Sequence, residues 1–535
     1  MYIIETRDFL NCDFNSWKFK FDYHYVYILE NGKHAYIGET KDVIRRAKEH
    51  GSNALKNRLK KYRFERIHII NSKFAEETPA KHFERLLIKL MWTDKLFNVV
   101  NMDEGEATHY ERKNQFEAYF DDLWFQLEKK GLVKTKDFQT VLNSNTYKYS
   151  PYTVLTKKQH KALTITVNTI NSGETKPDKA GQKVRQILLN GSAGTGKTVV
   201  ATSLFYYLKN NKHYKDKKIA LVYAIPAMRE EIQKIFENIE GLNRNDVISH
   251  IDVTRQFYDI IICDEAHRLR QNKNLGWYYK HFRDGNERLG LGKTCDELDW
   301  ILVNSGCQVL FYDSKQISCP SDISAKSFMK RLNARLIKLN EQMRIKAGNR
   351  YVSHIYDILG QKAKTRQTFE NYDLRIFDNF SDMAKSLREK EEVFGLCRLC
   401  GGYAWKWAAK NDKSLIDISI DDTTIQWNTQ TKGWLSNPNT KYEMGSIYTL
   451  AGLDLNYVGV VIGPELFYNK ISNKIEVNKE KFYDNKVKKG VTDTELKTFI
   501  LNTYAVLLTR GINGTYIYIY DDNLRKYFRK YLGKC

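Results

Sequence analysis

The chain has 535 residues, enough at about 150 residues per domain for three or four domains. Hydrophobic residues make up 42%, so cores of ordinary size can form and global disorder is excluded. Lys and Arg number 86 against 64 Asp and Glu, a net charge of +22, which excludes an acidic solvating protein and suits a polyanionic partner. Eight cysteines do not make a disulfide scaffold in a chain this long. Cys397 and Cys400 form a CxxC without the second ligand pair that a zinc site needs, so they read as ordinary thiols. MYIIETRDFL is not a secretion signal, and no apolar run approaches the ~20 residues that span a bilayer. The protein reads as cytoplasmic.

Residues 23–38, YHYVYILENGKHAYIG, are expected to form two alternating β runs around Asn31–Gly32, the preferred dipeptide of a type I′ turn. A helix over DVIRRAKEH ends at Gly51 and puts Arg46 and His50 on one face. A second helix starts at Thr78, with Pro79 in its first position. It carries Glu84 among Phe83, Leu86, Leu87 and Leu90, and a carboxylate on an apolar side calls for a cation or metal. Two tyrosines, an arginine, a histidine and a glutamate can cleave a phosphodiester: Arg stabilises the pentacoordinate phosphate, Glu holds one Mg²⁺, and a Tyr or His prepares the water. The run LKNRLKKYRFERI just after the Arg46–His50 helix, with Lys56, Arg58, Lys60, Lys61, Arg63 and Arg66, offers a path for a substrate backbone.

Residues 25–101 resemble a GIY-YIG endonuclease domain. Tyr25–Val26–Tyr27 stands for the GIY element, and Tyr36–Ile37–Gly38 is an unaltered YIG. The resemblance implies catalytic roles for Tyr27, Tyr36, Arg46 and His50, a metal-binding role for Glu84, and Asn98 as the Asn that closes the domain. The first Gly of GIY is missing and the hairpin is short, as in the compact branch of that family. Tyr27 and His50 both stay open as the proton acceptor.

Residues 1–105 thus form a small nuclease-like domain. Residues 106–150 read as a helical connector, with apolar positions at helical spacing in FEAYFDDLWFQLEKKG and Gly131 closing it. From 151 on, bare apolar runs alternate with helical stretches: VRQILLNG, KKIALVYAIP, YDIIICDE, CQVLFYDS, EVFGLC, YVGVVIGP and GTYIYIYD. That pattern means buried parallel sheets, and the length suits two sheet domains, 151–325 and 326–535. The fold class is α/β: a small α+β domain followed by two parallel-sheet domains.

GSAGTGKT, Gly191 to Thr198, follows a strand and opens a helix, as a phosphate-binding loop must. Gly191, Gly194 and Gly196 let backbone amides crowd phosphate oxygens, Lys197 reaches the β- and γ-phosphates, and Thr198 offers a hydroxyl to Mg²⁺. YDIIICDEAH supplies Asp264 for the metal and Glu265 for the attacking water, from a strand expected beside the P-loop strand.

The region 151–530 resembles a superfamily 1 helicase core, and more closely a schlafen-type DNA/RNA helicase domain with two RecA-like halves. The resemblance implies that Gln159 in LTKKQHKAL reads adenine, Gln316 in FYDSKQIS senses the γ-phosphate, and Arg344 in LNEQMR and Arg510 in VLLTRG are arginine fingers. Thr449, Gly452 and Asp454 in GSIYTLAGLDLNYVGVVIG match the motif that couples nucleotide to the nucleic-acid strand. ATP and Mg²⁺ are the implied cofactors and nucleic acid, above all DNA, the implied partner, with a homo-oligomer or a defence partner also open. The stretches between motifs are short, so movement or clamping is expected before strand separation. The leading reading is an ATP-dependent DNA nuclease of bacterial defence against phage or foreign DNA. The alternatives are a repair nuclease-helicase and a nucleotide-controlled clamp whose nuclease domain only binds.

Overall fold

A computed structural model describes residues 3–9, 23–51, 59–71, 77–101, 120–172, 176–177, 183–410, 412, 414–430, 433–435, 437–450 and 452–533. Residues 1–157 and 158–535 form two compact units.

The first unit is built on five strands: β1 (Ile3–Asp8), β2 (Tyr25–Glu30), β3 (His34–Thr40), β4 (Arg66–Asn71) and β5 (Asn98–Val99). Their order is β1-β4-β2-β3-β5, antiparallel except for β3 with β5. β2 was expected to alternate, yet all six of its residues are buried. It is flanked by β3 and β4, and burial of successive side chains means that both sheet faces are covered. Tyr25, Tyr27 and Leu29 join Val43 and Ala47 of the helix Val43–Gly51 in one core.

The hairpin differs from expectation. Asn31 N donates to His34 O at 3.2 Å, so Gly32–Lys33 is the central pair. Gly32 has φ +77° and Lys33 is not left-handed, the pattern of a II′ turn. Asn31 sits outside the centre because its Oδ1 accepts from Lys33 N at 3.1 Å and His34 N at 2.7 Å.

The connector segment belongs to this unit where it is described. Helices Phe120–Lys129, Phe138–Asn143 and Asn145–Tyr149 follow one another, and Gly131 at φ +68° turns the chain after the first. Residues 116–119 of the expected helix lie outside the described residues. Phe120 packs on Phe83 of the helix Glu77–Asp94 with ring centroids 4.3 Å apart. The Asp94 carboxylate accepts from Lys134 N at 2.8 Å and Thr135 N at 2.9 Å, tying the end of that helix to the turn.

The second unit holds two sheets. The first contains β6 (Lys176–Pro177), β7 (Lys183–Gly191), β8 (Ile219–Tyr223), β9 (Val247–Ile248), β10 (Ile260–Asp264), β11 (Cys307–Tyr312) and β12 (Arg335–Leu339). Its order is β12-β7-β11-β10-β8-β9, all parallel, with β6 antiparallel on β7. The second contains β13 (Asp373–Phe377), β14 (Cys397–Gly401), β17 (Met444–Gly445), β18 (Leu455–Ile462) and β21 (Gly511–Ile519), ordered β13-β21-β18-β14-β17 and all parallel. Two small hairpins accompany it, β15–β16 (Ile418–Ile420, Thr423–Ile425) and β19–β20 (Leu466–Asn469, Lys474–Val477). β8, β10, β11 and β18 are buried along their whole length, which is why their sequences are apolar without alternation.

EVFGLC is only half the expected strand. Glu392, Val393 and Phe394 end the helix Phe380–Phe394, Gly395 and Leu396 are left-handed at φ +61° and +49°, and the strand begins at Cys397. Cys397 and Cys400 are three apart in β14, so they point to opposite faces, and both are buried free thiols. Among the described residues no helix is long and apolar enough to cross a membrane.

Candidate active sites

In the first unit, β2 and β3 place Tyr27 directly opposite Gly38. The Tyr27 phenol lies across that position, where a Cβ would collide with it. This is the physical reason for glycine in the YIG element. Tyr27 O is 2.8 Å from His50 Nε2, and the Tyr36 ring centroid is 6.2 Å from that of Tyr27 and 5.1 Å from that of His50. Burial, then the nearby Arg46 charge, pushes His50 down to about 4, so the imidazole is neutral at pH 7. In its Nδ1–H tautomer it accepts from the phenol. Burial and Tyr36 push Tyr27 far above the usual phenol range, against the pull of Arg46. Arg46 is itself oriented by Glu49, at 2.9 Å.

Glu84 is pushed up to about 7, first by burial and then by Glu39, while Arg85 and Arg46 pull the other way. A bound cation would offset that burial, and a carboxylate oxygen is the donor a hard divalent ion takes. Among the described residues no three His, Cys, Asp or Glu side chains cluster as a metal cage. A metal on Glu84 would therefore share its shell with water and phosphate oxygens, the usual state of Mg²⁺. The five expected residues thus belong to one neighbourhood.

Asn98 has an exposed side chain, whereas the Asn101 carboxamide bonds both the N–H of Ile37, at 3.1 Å, and its carbonyl. Asn98 stands beside that strand through its backbone, opposite His34, and Asn101 bonds it through its side chain. Arg66 pairs through Nε with the buried Glu30 at 2.5 Å, and its side chain is 58% exposed. Lys56 and Arg58 lie outside the described residues.

In the second unit, Gly194 and Gly196 have φ +80° and +77°, the left-handed backbone a phosphate loop needs. Lys197 Nζ donates to Gly191 O at 2.9 Å and Ser192 O at 3.2 Å, and lies 3.9 Å from Asp313. Thr198 Oγ1 donates to Asp264 Oδ2 at 2.6 Å. The DEAH strand is not the neighbour of the P-loop strand, as expected, but one further away. β11 lies between them and brings in Asp313 and Gln316, whose Nε2 donates to Asp313 Oδ2 at 2.9 Å. Burial and the neighbouring Glu265 carboxylate push Asp264 above the usual carboxylate range. Glu265 is held well below the usual carboxylate range despite its burial, by His267, whose Nε2 is 3.0 Å away, and by Lys197. Glu265 is left-handed at φ +53°, a strained backbone of the kind found at functional sites. Thr198 and Asp264 offer oxygen donors that fit a divalent cation.

Gln159 is buried and donates to Thr195 O at 3.1 Å, on the P-loop itself. Arg344 Nε is 2.5 Å from Asp454 Oδ1, and Arg510 Nη1 donates to Leu453 O at 2.9 Å. Both expected fingers therefore converge on adjacent residues of one loop. Gln342, overlooked in the sequence, braces the P-loop: its Nε2 donates to Ala193 O at 2.8 Å, and its Oε1 accepts from Arg344 N at 2.9 Å. His267 was also overlooked, although its place two residues after Glu265 in DEAH was a signal.

A cleft of about 300 Å³ lies between the two sheets of this unit, walled by Ile225, Arg270, Trp277, Tyr448 and Lys486. Asn274 Nδ2 spans it, donating to Lys489 O at 2.6 Å and Lys486 O at 3.1 Å.

Each of the two units matches a known family model. A family model for the GIY-YIG catalytic domain matches residues 23–96, and one for the Schlafen group 3, DNA/RNA helicase domain matches residues 185–521. An uncharacterized protein of Saccharomyces cerevisiae is 24% identical over 389 residues, 63% of this chain and 82% of the yeast protein. Among solved structures, the Pif1 helicase of Candida albicans is similar at 11% identity and TM-score 0.27, covering 68% of this chain and 95% of its own. The arterivirus nonstructural protein 10 helicase is similar at 12% and 0.31, covering 64% and 61%. Domains of these two kinds use a nucleotide and a divalent metal, and the chain carries a domain of each kind. It belongs to the Schlafen group 3 DNA/RNA helicase domain family, with a GIY-YIG catalytic domain ahead of the helicase domain.

Proposed function

We propose that the protein is an ATP-dependent nuclease of DNA, cutting with Mg²⁺ and serving in defence against phage or other foreign DNA. The observation that carries the reading is the 2.8 Å contact between Tyr27 and a neutral His50, beside Arg46 and within electrostatic reach of Glu84. A water attacking the phosphate gives its proton to the Tyr27 oxygen as the phenol passes its own to His50 Nε2. This relay joins the two candidate acceptors in one step. Arg46 stabilises the charge that develops on the phosphate. Mg²⁺ on Glu84 would polarise the scissile phosphate.

In the motor, Lys197 and Thr198 would hold the β- and γ-phosphates, with Asp264 at the metal. Glu265 orients the attacking water, Gln316 reports the γ-phosphate, and Arg344 and Arg510 complete the site as the lobes close. Gln159 meets the adenine once it leaves the P-loop. The connector packs on the nuclease helix through Phe120 and Phe83, which supports ATP gating of the cut through that segment. The defence role rests on the pairing of nuclease and motor on one chain, because an ungated nuclease would endanger the host genome.

The test is cleavage of labelled single-stranded, duplex and branched DNA and RNA by wild type and Arg46→Ala, with Mg²⁺ or EDTA and with or without ATP. The reading expects Mg²⁺-dependent DNA cleavage that Arg46→Ala abolishes. Cleavage in EDTA, or by the variant, would remove the assignment.

A further inference from the structure

Glu84 is not the only carboxylate at the nuclease site. In an antiparallel pair, residues that bond the partner strand alternate with residues whose amides face outward. The Asn31–His34 bond closes the β2–β3 ladder, so Tyr36, Gly38 and Thr40 bond β2, while Ala35, Ile37 and Glu39 face the outer edge of β3. β5 takes that edge at His34 and Ala35, and Asn101 takes both backbone groups of Ile37. The next outward amide is that of Glu39, and it is turned to the Glu84 carboxylate. Glu84 comes to this edge on the helix Glu77–Asp94, sharing one helix face with Glu77 and Lys81. Lys81 is occupied by Glu77, at 2.5 Å.

The Glu39 side chain is braced as well. His24 Nδ1 lies 3.0 Å from Glu39 Oε2, and the two side chains are only 16% and 17% exposed. Among the described residues no lysine or arginine is ion-paired with Glu39 or Glu84. Two carboxylates side by side in a half-buried site repel each other unless a cation is shared between them. His24 occupies one oxygen of Glu39 and leaves the other to accept from water. Without a third ligand to build a cage, Mg²⁺ on Glu84 would keep several of its waters, and a braced carboxylate beside it is the acceptor that such waters need.

We propose that Glu39, held by His24, is a second carboxylate of the metal site, a positioning residue that acts on the cation at Glu84 through its hydration shell. The proposal rests on the metal role given to Glu84 above and adds a residue and its brace.

The experiment is titration of the full chain with Mn²⁺ alone, without nucleotide or nucleic acid, followed by the EPR signal of the free ion. The site in question is the binding that wild type shows beyond Glu84→Ala, which sets aside any Mn²⁺ held by the motor. Glu39→Gln is expected to weaken that binding about ten- to hundredfold, and His24→Phe, which keeps both carboxylates, about tenfold. Cleavage by Glu39→Gln should fall at limiting Mg²⁺ and recover at saturating Mg²⁺, a recovery that Arg46→Ala does not show. Wild-type Mn²⁺ affinity in Glu39→Gln would overturn the proposal and leave the Glu84 reading standing. A cleavage defect that saturating Mg²⁺ does not restore would overturn it too. Identical Mn²⁺ isotherms for wild type and Glu84→Ala would overturn the metal role of Glu84 and the proposal with it. If Glu39→Gln melts below wild type, His24→Phe decides, and unchanged Mn²⁺ affinity there overturns the proposal.

Discussion

Arg344 Nε sits 2.5 Å from Asp454 Oδ1, in an ion pair whose side chains are only 15% and 16% exposed. Arg510 is held one residue away, by the carbonyl of Leu453. Both candidate fingers are thus tied to the loop that would couple nucleotide to the strand. For Arg344 to reach a γ-phosphate, this ion pair with Asp454 must break. Asp454→Asn removes the competing charge. We expect its ATP hydrolysis without nucleic acid to rise and its stimulation by nucleic acid to shrink, read in a steady-state ATPase assay with and without oligonucleotide. An unchanged basal rate would mean that the pair does not restrain the arginine.

Lys197→Ala and Glu265→Gln should both stop ATP hydrolysis, by different routes. In the proposed site Lys197 is the main side-chain cation for the triphosphate, so its loss should weaken binding of a fluorescent ATP analogue. With Glu265 proposed to orient the water, Glu265→Gln should bind the analogue like wild type and fail to turn it over. Hydrolysis at the wild-type rate by Glu265→Gln would refute the role given to the DEAH glutamate.

Gly38→Ala tests the packing of the nuclease site. The added methyl meets the Tyr27 phenol, which must swing away from His50. Overpacking of this kind costs about 1–3 kcal/mol. Strand cleavage should fall sharply while ATPase activity, in the other unit, is kept. Cleavage at the wild-type rate would show that the Tyr27–His50 geometry is not needed.

Lys89 gives a pH signature to the first unit. It is buried in the helix Glu77–Asp94, its Nζ 3.8 Å from the Tyr147 ring centroid, and burial pushes it down to about 7 from 10.5. The unfolded chain keeps that proton up to about 10.5, so folding releases it between pH 7 and 10.5. Stability therefore rises with pH across that window and carries the full penalty below it. Lys89→Met should stabilise the unit by about 2–4 kcal/mol at pH 7 and by less at pH 9. Hydrogen-exchange protection of residues 77–94 at the two pH values measures both. Equal gains at pH 7 and pH 9 would mean that Lys89 stays protonated.

What the sequence made legible were sites whose chemistry is contiguous. Gly191 to Thr198 and Asp264–Glu265 carry their function in consecutive residues, because one turn and one strand end present them. Tyr36–Ile37–Gly38 and the Arg46–His50 spacing are local in the same sense. Contacts made by distant segments were not legible. Gln342 reaches Ala193 across 149 positions, and nothing around LNEQMR announces a brace for the P-loop. β11 entered between β7 and β10 because strand order in a parallel sheet is set by crossovers, not by local pattern. The Gly32–Lys33 turn was misplaced by one residue because Asn31 bonds the turn amides with its side chain from outside, and the same dipeptide signals either register.

The central claim is that one chain holds a DNA-cutting site and a separate ATPase site, the second governing the first. It is tested most directly by measuring strand cleavage and ATP hydrolysis in the same reaction for wild type, Glu84→Ala and Lys197→Ala, at matched DNA occupancy. The account predicts both activities in wild type, undiminished ATPase without cleavage in Glu84→Ala, and loss of ATPase together with loss of ATP-dependent control of cleavage in Lys197→Ala. Cleavage by Glu84→Ala at the wild-type rate, or cleavage by wild type and Lys197→Ala that is equal with and without ATP, would contradict it.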